Sequence, residues 1–171
     1  MRSLSKKERR FIREKEARKL ILELSARVKG ISQQLASPGS PIEVARADKG
    51  EIFFIEGAPA FARSDNMLFP TLASGRFLSS LPRVVVNMGA IPYVCKGADV
   101  MAPGIVSFEG AFEKEDLVVV SDERHNKPIS ISLALCSSQE AEKLGRGRVL
   151  KNIHYVGDSI WNEIRQFAQR E

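Results

Sequence analysis

The chain has 171 residues, 43% hydrophobic and 27% charged, with 26 Lys and Arg against 21 Asp and Glu for a formal net charge of +5. This is a globular composition sized for one or two small domains, each with only a modest core. No apolar run is long enough to span a bilayer, which excludes a helical membrane protein.

The opening "MRSLSKKERRFIREKEARK" is basic but lacks the apolar h-region and small-residue cleavage site of a signal peptide. Glu8, Glu14 and Glu16 argue against a transit peptide, so a cytoplasmic location is expected. Residues 1–29 carry eleven Lys or Arg against four Glu (+7), and the rest fifteen against seventeen (−2). The positive excess thus belongs to one segment, suited to a phosphate backbone, an anionic membrane or an acidic partner. A solvated helix face laced by i,i+4 pairs is the bland alternative.

Ser5-Lys6-Lys7-Glu8 reads as a capping box opening a helix. Ala17, Leu20, Ile21, Leu24 and Val28 then recur at helical spacing, and Gly30 is the expected stop. Lys6, Arg9, Arg10 and Arg13 fall in its less apolar first half, which is expected to project outward as a basic RNA or partner surface. After the loop "SPGSP" at 37–41, "IEVARA" and "EIFFIEG" flank Asp48-Lys49-Gly50, a hairpin signal. "APAFARSDN" and "LFPTL" extend this into a small antiparallel sheet carrying one or two helices.

Ser74-Gly75 and the "SSLP" of 79–82 mark a boundary. Beyond it, "RVVVN", "GIVSFEG", "DLVVVSD" and "PISISLALC" are strands separated by turn signals, the pattern of a small barrel or sandwich. "SSQEAEKLGRG" is a brief helix capped by Ser137 or Ser138, and "VLKNIHYVG" a last strand. A terminal helix follows, capped by Asp158 or Ser159, with Ile160, Ile164 and Phe167 on one face.

The stretch "GAIPYVCKGADVMAPGI", Gly89–Ile105, is the most unusual part of the chain. Pro92 suits a first helical turn and Gly97 the left-handed position after a helix end, leaving room for about two turns. Ile91, Val94 and Cys95 would then face the core, and Tyr93 and Lys96 the opposite way. An aromatic face, a cation and small residues permitting close approach make an RNA surface. Glycines needed only for turns, with a packed Tyr93, are the competing reading.

These residues, "VVVNMGAIPYVCKGADVMAPGI", resemble the signature of the PUA domain, as found in the malignant T-cell-amplified sequence family of translation proteins and its relative ligatin. "LFPTL" and "NIHYVGDSIW" are similar to the same family in the same order. The resemblance implies an α+β chain. An N-terminal pre-PUA α/β domain with a small antiparallel sheet would occupy 1–78, a C-terminal PUA β-pseudobarrel 79–157, and a helix packing on the barrel 158–171. It implies a non-enzymatic RNA-binding protein acting in translation initiation, reinitiation or recycling, without cofactor or metal and without membrane contact. Structured RNA (tRNA or rRNA), the small ribosomal subunit and, as in eukaryotic relatives, a protein with an initiation-factor-one-like domain are the implied partners. The compact, charge-rich chain would suit an archaeal source.

Carried over from the family, the RNA-binding candidates are Gly89, Ala90, Lys96, Gly97, Ala98 and Asp99, with Pro103 and Gly104 shaping the next strand; Tyr93 is added to them as a stacking face. Arg146 and Arg148, flanking a glycine turn, are added as phosphate contacts. His125 reads as solvated, and His154 as a hydrogen-bonded structural residue. Cys95 and Cys136 form no CxxC pair and read as buried free thiols, a disulfide being open only to a hyperthermophile's protein. No Ser/His/Asp ordering, Gly-rich phosphate loop or matched carboxylate pair supports an enzyme. A protein-interaction module docking through Arg9, Arg10 and Arg13, and a stand-alone specificity subunit for an RNA-modifying enzyme, stand as alternatives.

Overall fold

The computed structural model describes residues 9–35 and 39–168. The chain forms two compact units: one runs through Ser80 and resumes at Ser159, the other is Leu81–Asp158.

The first unit is a five-stranded antiparallel meander, in the order β1 (Arg10–Phe11), β2 (Ile42–Ala47), β3 (Gly50–Ile55), β4 (Ala58–Ser64), β5 (Met67–Pro70). Phe53 and Phe54 on β3, with Phe61 on β4 and Leu68 and Phe69 on β5, fill its core. The β2–β3 hairpin turns through Asp48 and Lys49, with Ala47 opposite Gly50. Gly50 has φ +135°, and a Cβ there would lie 1.8 Å from the Arg63 carbonyl oxygen. No other residue fits.

The expected first helix is corrected at its start. Its capping box at Ser5–Glu8 lies outside the described residues, and Arg10 and Phe11 are not helical: they pair with Val44 and Glu43 on β2. The helix α1 begins at Glu14 and ends at Arg27. Here the Arg13 N–H donates to Glu16 Oε2 at 2.9 Å, a reach-back from the third helical residue that satisfies an otherwise orphaned donor. That bond and the Arg10 guanidinium beside it hold the Glu16 carboxyl below its ordinary range. Leu20, Leu24 and Val28 are buried as the periodicity predicts, and Gly30, at φ +75°, turns the chain into α2 (Ile31–Gln34). The short α3 (Gly75–Leu78) buries Phe77 and Leu78.

The terminal helix α6 (Ser159–Ala168) buries Ile160, Ile164 and Phe167. It belongs to the first unit, not to the barrel on which it was expected to pack. The Phe167 ring meets Phe54 edge-on, 5.0 Å between centroids, and Glu163 Oε1 accepts from the Asp48 N–H at the hairpin turn. The apolar stripe read from the sequence names the buried face but not its partner.

The second unit is a curled six-stranded sheet ordered β7 (Val100–Met101), β11 (Arg148–Tyr155), β10 (Pro128–Ala134), β9 (Leu117–Asp122), β6 (Arg83–Val86), β8 (Ile105–Glu109). A curled sheet of this order is the half-barrel expected from the pseudobarrel that the sequence resembles. All pairings are antiparallel except β6 with β9, which run side by side with Val86 opposite Asp122. Val84, Val86, Val118, Val120, Val149, Leu150 and Phe112 form the core. α5 (Ser138–Lys143) is closed by a reciprocal pair: the Glu140 N–H donates to Ser137 Oγ, and the Ser137 N–H to Glu140.

Candidate nucleic-acid interface

The glycine-rich segment folds between β6 and β7 as a single helical turn, α4 (Ile91–Val94), shorter than the two turns the spacing allowed. Asn87 Oδ1 accepts from the Ala90 N–H at 3.0 Å and sets its entry. Pro92 sits in the first turn, where its missing N–H costs nothing. The exit is a Schellman arrangement: the Ala98 N–H reaches the Tyr93 carbonyl and the Gly97 N–H the Val94 carbonyl, both at 3.0 Å, with Gly97 at φ +96°. Val94 is buried, Ile91 and Cys95 pack on the core, and Lys96 is exposed. Tyr93, at 68% exposure, is the most open aromatic of the second unit.

Small residues stand where something else comes close. A Cβ on Gly97 would lie 3.1–3.2 Å from ring atoms of Tyr155, and one on Gly104 3.3 Å from Ala90 Cβ. The Asn87 N–H donates to the Gly104 carbonyl, so the chain folds back against the entrance of α4.

Asn152, on β11, holds the segment from behind, and the sequence reading passed over it. Its Nδ2 donates to the carbonyls of Val94 and Ala98 (2.9 and 3.0 Å), and its N–H to Asp99 Oδ1 (2.9 Å). An asparagine in mid-strand is unfavourable unless its side chain serves another element. That was the available signal.

Asp99 also receives Arg148 Nη1 at 3.1 Å. Each of its oxygens thus accepts a bond from within the protein, which fixes the loop that follows Gly97. Arg148 lies opposite Met101 across the β7–β11 pair, and Ala102 N–H bonds the Gly147 carbonyl. The turn bearing Arg146 is therefore joined to the far end of the α4 segment. Arg146 is exposed, and the Arg148 side chain is 63% exposed despite its ion pair. Gly89, Ala90, Tyr93, Lys96, Gly97 and Ala98 form one segment, with Arg146 and Arg148 alongside.

Arg9, Arg10 and Arg13 belong to the other unit and do not form one helical face. The Arg9 guanidinium carbon lies 3.9 Å from the Phe54 ring centroid and 4.5 Å from that of Phe167, clamped between aromatics. Arg10 pairs with Glu16 at 3.3 Å, and Arg18 on α1 pairs with Glu14 one turn back. Two cations of this basic segment, Arg10 and Arg18, are thus engaged by glutamates of α1.

His154 is fully buried with Nδ1 2.7 Å from Asp158 Oδ2, and His125 is exposed beside Asp122. Both cysteines are free, and burial raises each thiol above its ordinary value, Glu140 adding to the effect at Cys136. Among the described residues, no group of three or more His, Cys, Asp or Glu could hold a metal ion, and no helix is long and apolar enough to cross a membrane.

The PUA domain model matches residues 82–156, and a model described as a domain of unknown function, DUF1947, matches 8–74. Human Malignant T-cell-amplified sequence 2 is 30% identical over 79% of this chain and 86% of its own. The chain belongs to the malignant T-cell-amplified sequence family. Within that family, an uncharacterized protein of Methanocaldococcus jannaschii is 38% identical over 91% of this chain and 96% of its own. Translation machinery-associated protein 20 of Saccharomyces cerevisiae is 28% identical over 80% of each. A crystal structure of a PUA domain from Aeropyrum pernix superposes with a TM-score of 0.79 at 29% identity, covering 94% of this chain and 92% of that one.

Proposed function

We propose that this protein binds structured RNA, tRNA or rRNA, through the outer face of α4 in a non-enzymatic, translation-related role. The observation that carries the reading is the exposure of Tyr93, on a one-turn helix, and of Lys96, just past its end, in a segment braced by Asn152 and Gly97 and matched as a PUA domain. Tyr93 offers a π-face to an unstacked base, Lys96 and Arg146 meet phosphates, and Gly89, Ala90, Gly97 and Ala98 let the RNA backbone come close. Arg148 adds a partly exposed cation, oriented by Asp99. The name of the yeast relative, Translation machinery-associated protein 20, supports a translation setting, and within it the proposed role is initiation, reinitiation or recycling on the small ribosomal subunit. A partner carrying an initiation-factor-one-like domain and a cytoplasmic location go with it.

The test is titration of purified protein with folded tRNA and with a single-stranded RNA of equal length, at low and physiological salt. The expected result is preference for the folded RNA, weakened by Lys96→Ala and by Tyr93→Ala, with log K falling linearly in log salt. Equal binding to both RNAs, untouched by either substitution, would refute it.

A further inference from the structure

The parallel pairing of β6 with β9 has a consequence outside α4. Because Val86 lies opposite Asp122 in parallel register, the chain leaves both strands at the same end of the sheet. From Val86 it runs into Asn87–Ala90 and α4; from Asp122 it runs into the turn Glu123–Lys127. Two bonds tie these loops together: the Glu123 N–H donates to the Val86 carbonyl at 3.1 Å, and the Met88 N–H to Glu123 Oε1 at 3.0 Å.

The turn is fixed from inside. Asp122 is only 5% exposed, and its carboxylate accepts from the backbone N–H groups of Arg124 (2.9 Å), His125 (2.6 Å) and Lys127 (2.9 Å). These bonds, the His125 one foremost, hold its carboxyl below the ordinary range. Arg83 Nη1 donates to both the carbonyl and the side-chain oxygen of Asn126, at 2.9 and 3.1 Å. Formal charge on the turn cancels: Arg124 and Lys127 against Asp122 and Glu123. The placement cancels less completely: the Asp122 carboxylate is buried beneath backbone donors, Glu123 is exposed with Oε1 held by the Met88 N–H, and the side chains of Arg124, His125 and Lys127 are exposed.

We infer that the Glu123–Lys127 turn is a second phosphate-binding element, in which Arg124 and Lys127 grip the backbone of the same RNA that lies on α4. A turn ordered before binding loses little backbone entropy on contact, so its two cations act at low ordering cost. This inference rests on the RNA-binding reading above. It adds a site of attachment one loop away, and it predicts a footprint wider than α4 and the Arg146–Arg148 turn.

The experiment compares single-charge removals in the full chain: Arg124→Gln, Lys127→Gln, and Lys114→Gln as control. Lys114 precedes the first residue of β9 and so sits at the strand's opposite end. Affinity for folded tRNA is measured across a salt series, with a thermal melt to confirm folding, since the substitutions leave every backbone bond to Asp122 in place. Arg124→Gln and Lys127→Gln are each expected to weaken binding about threefold and to reduce the slope of log K against log salt by about 0.7–0.9. Lys114→Gln should leave the slope within a few tenths. In the wild-type chain, amide resonances of residues 123–127 should shift on RNA addition.

Unchanged affinity and slope for both turn variants, alongside weakening by Lys96→Ala, would overturn the inference while leaving the α4 reading intact. Equal losses for Lys114→Gln would also overturn it, because the attraction would then be diffuse. A wild-type chain that binds no folded RNA would remove the reading on which the inference depends.

Discussion

Replacing Gly97 by alanine adds one methyl group at the exit of α4, where two independent obstacles meet it. The backbone sits at φ +96°, a conformation that costs an L-residue about 1–2 kcal/mol. The new Cβ would also lie 3.1 Å from Tyr155 Cε1 and Oη and 3.2 Å from Cζ, closer than ordinary contact. Tyr155 is half-buried at the end of β11, so its ring can yield, at an off-rotamer cost of about 0.5–1.5 kcal/mol. The expected total is about 2–3 kcal/mol, which lowers the melting transition of a domain this size by roughly 10–20 °C. Calorimetry or urea denaturation followed by a signal from the second unit measures it. The two terms separate in a Tyr155→Ala background, where Gly97→Ala should cost only the backbone term. The double-mutant coupling is then about 1 kcal/mol. A Gly97→Ala cost below about 0.5 kcal/mol, within the range of idle surface substitutions, would refute the reasoning. A coupling of zero would show that the ring contact contributes nothing.

Arg9→Ala should destabilise the first unit by about 1–3 kcal/mol in urea unfolding, through loss of contact with Phe54 and Phe167. It should leave the salt slope of RNA binding unchanged; the reverse pattern would make Arg9 a nucleic-acid contact after all. Burial raises the Glu163 carboxyl above its ordinary 4.5, opposed by the Asp48 N–H. The folded chain therefore takes up that proton first, and stability falls as pH rises through the window above 4.5. Glu163→Gln keeps an acceptor for the Asp48 N–H, so it should melt higher than wild type at neutral pH, the gap closing toward 4.5; a gap that widens on acidification would contradict this. Gly50→Ala should prevent accumulation of folded protein, since its Cβ falls 1.8 Å from a backbone oxygen that cannot move without parting β3 from β4. A soluble variant with a wild-type melting curve would show that the hairpin can re-form around it.

Period and punctuation made most elements readable: the β2–β3 hairpin at Asp48-Lys49, the Ser137 cap of α5, and the split of Val94 inward from Tyr93 outward all follow from local chemistry. What sequence could not supply was partnership. Charge and spacing alone carry the first helix back through Arg9–Arg13, yet the β2 edge gives Arg10 and Phe11 a ladder, and Arg13 is the helix boundary. The α6 stripe was legible, but a stripe carries no address; the Phe54 ring supplies it. Asp99 enters the candidate set only through the family resemblance; the donors it accepts from, the Asn152 N–H and Arg148, lie roughly fifty residues away, so nothing local announces them. Asp122 was silent for the opposite reason: a local nest of backbone donors in an acidic-basic turn looks, in sequence, like any solvated loop.

The brevity of α4 follows from this bracing. Gly97 rests on the Tyr155 ring and Asn152 bridges the carbonyls of Val94, in α4, and Ala98, beyond it, so the segment bearing Tyr93 and Lys96 is held by contacts from below rather than by helix length. Substitutions at the segment then divide into two kinds. Those at Gly97, Gly104 and Asn152 should lower stability, and affinity only in consequence. Those at Tyr93 and Lys96 should lower affinity at unchanged stability, because nothing in the second unit's core leans on them. A Tyr93→Ala chain that melts well below wild type would break that division, and with it the argument that the ring is turned outward for a partner.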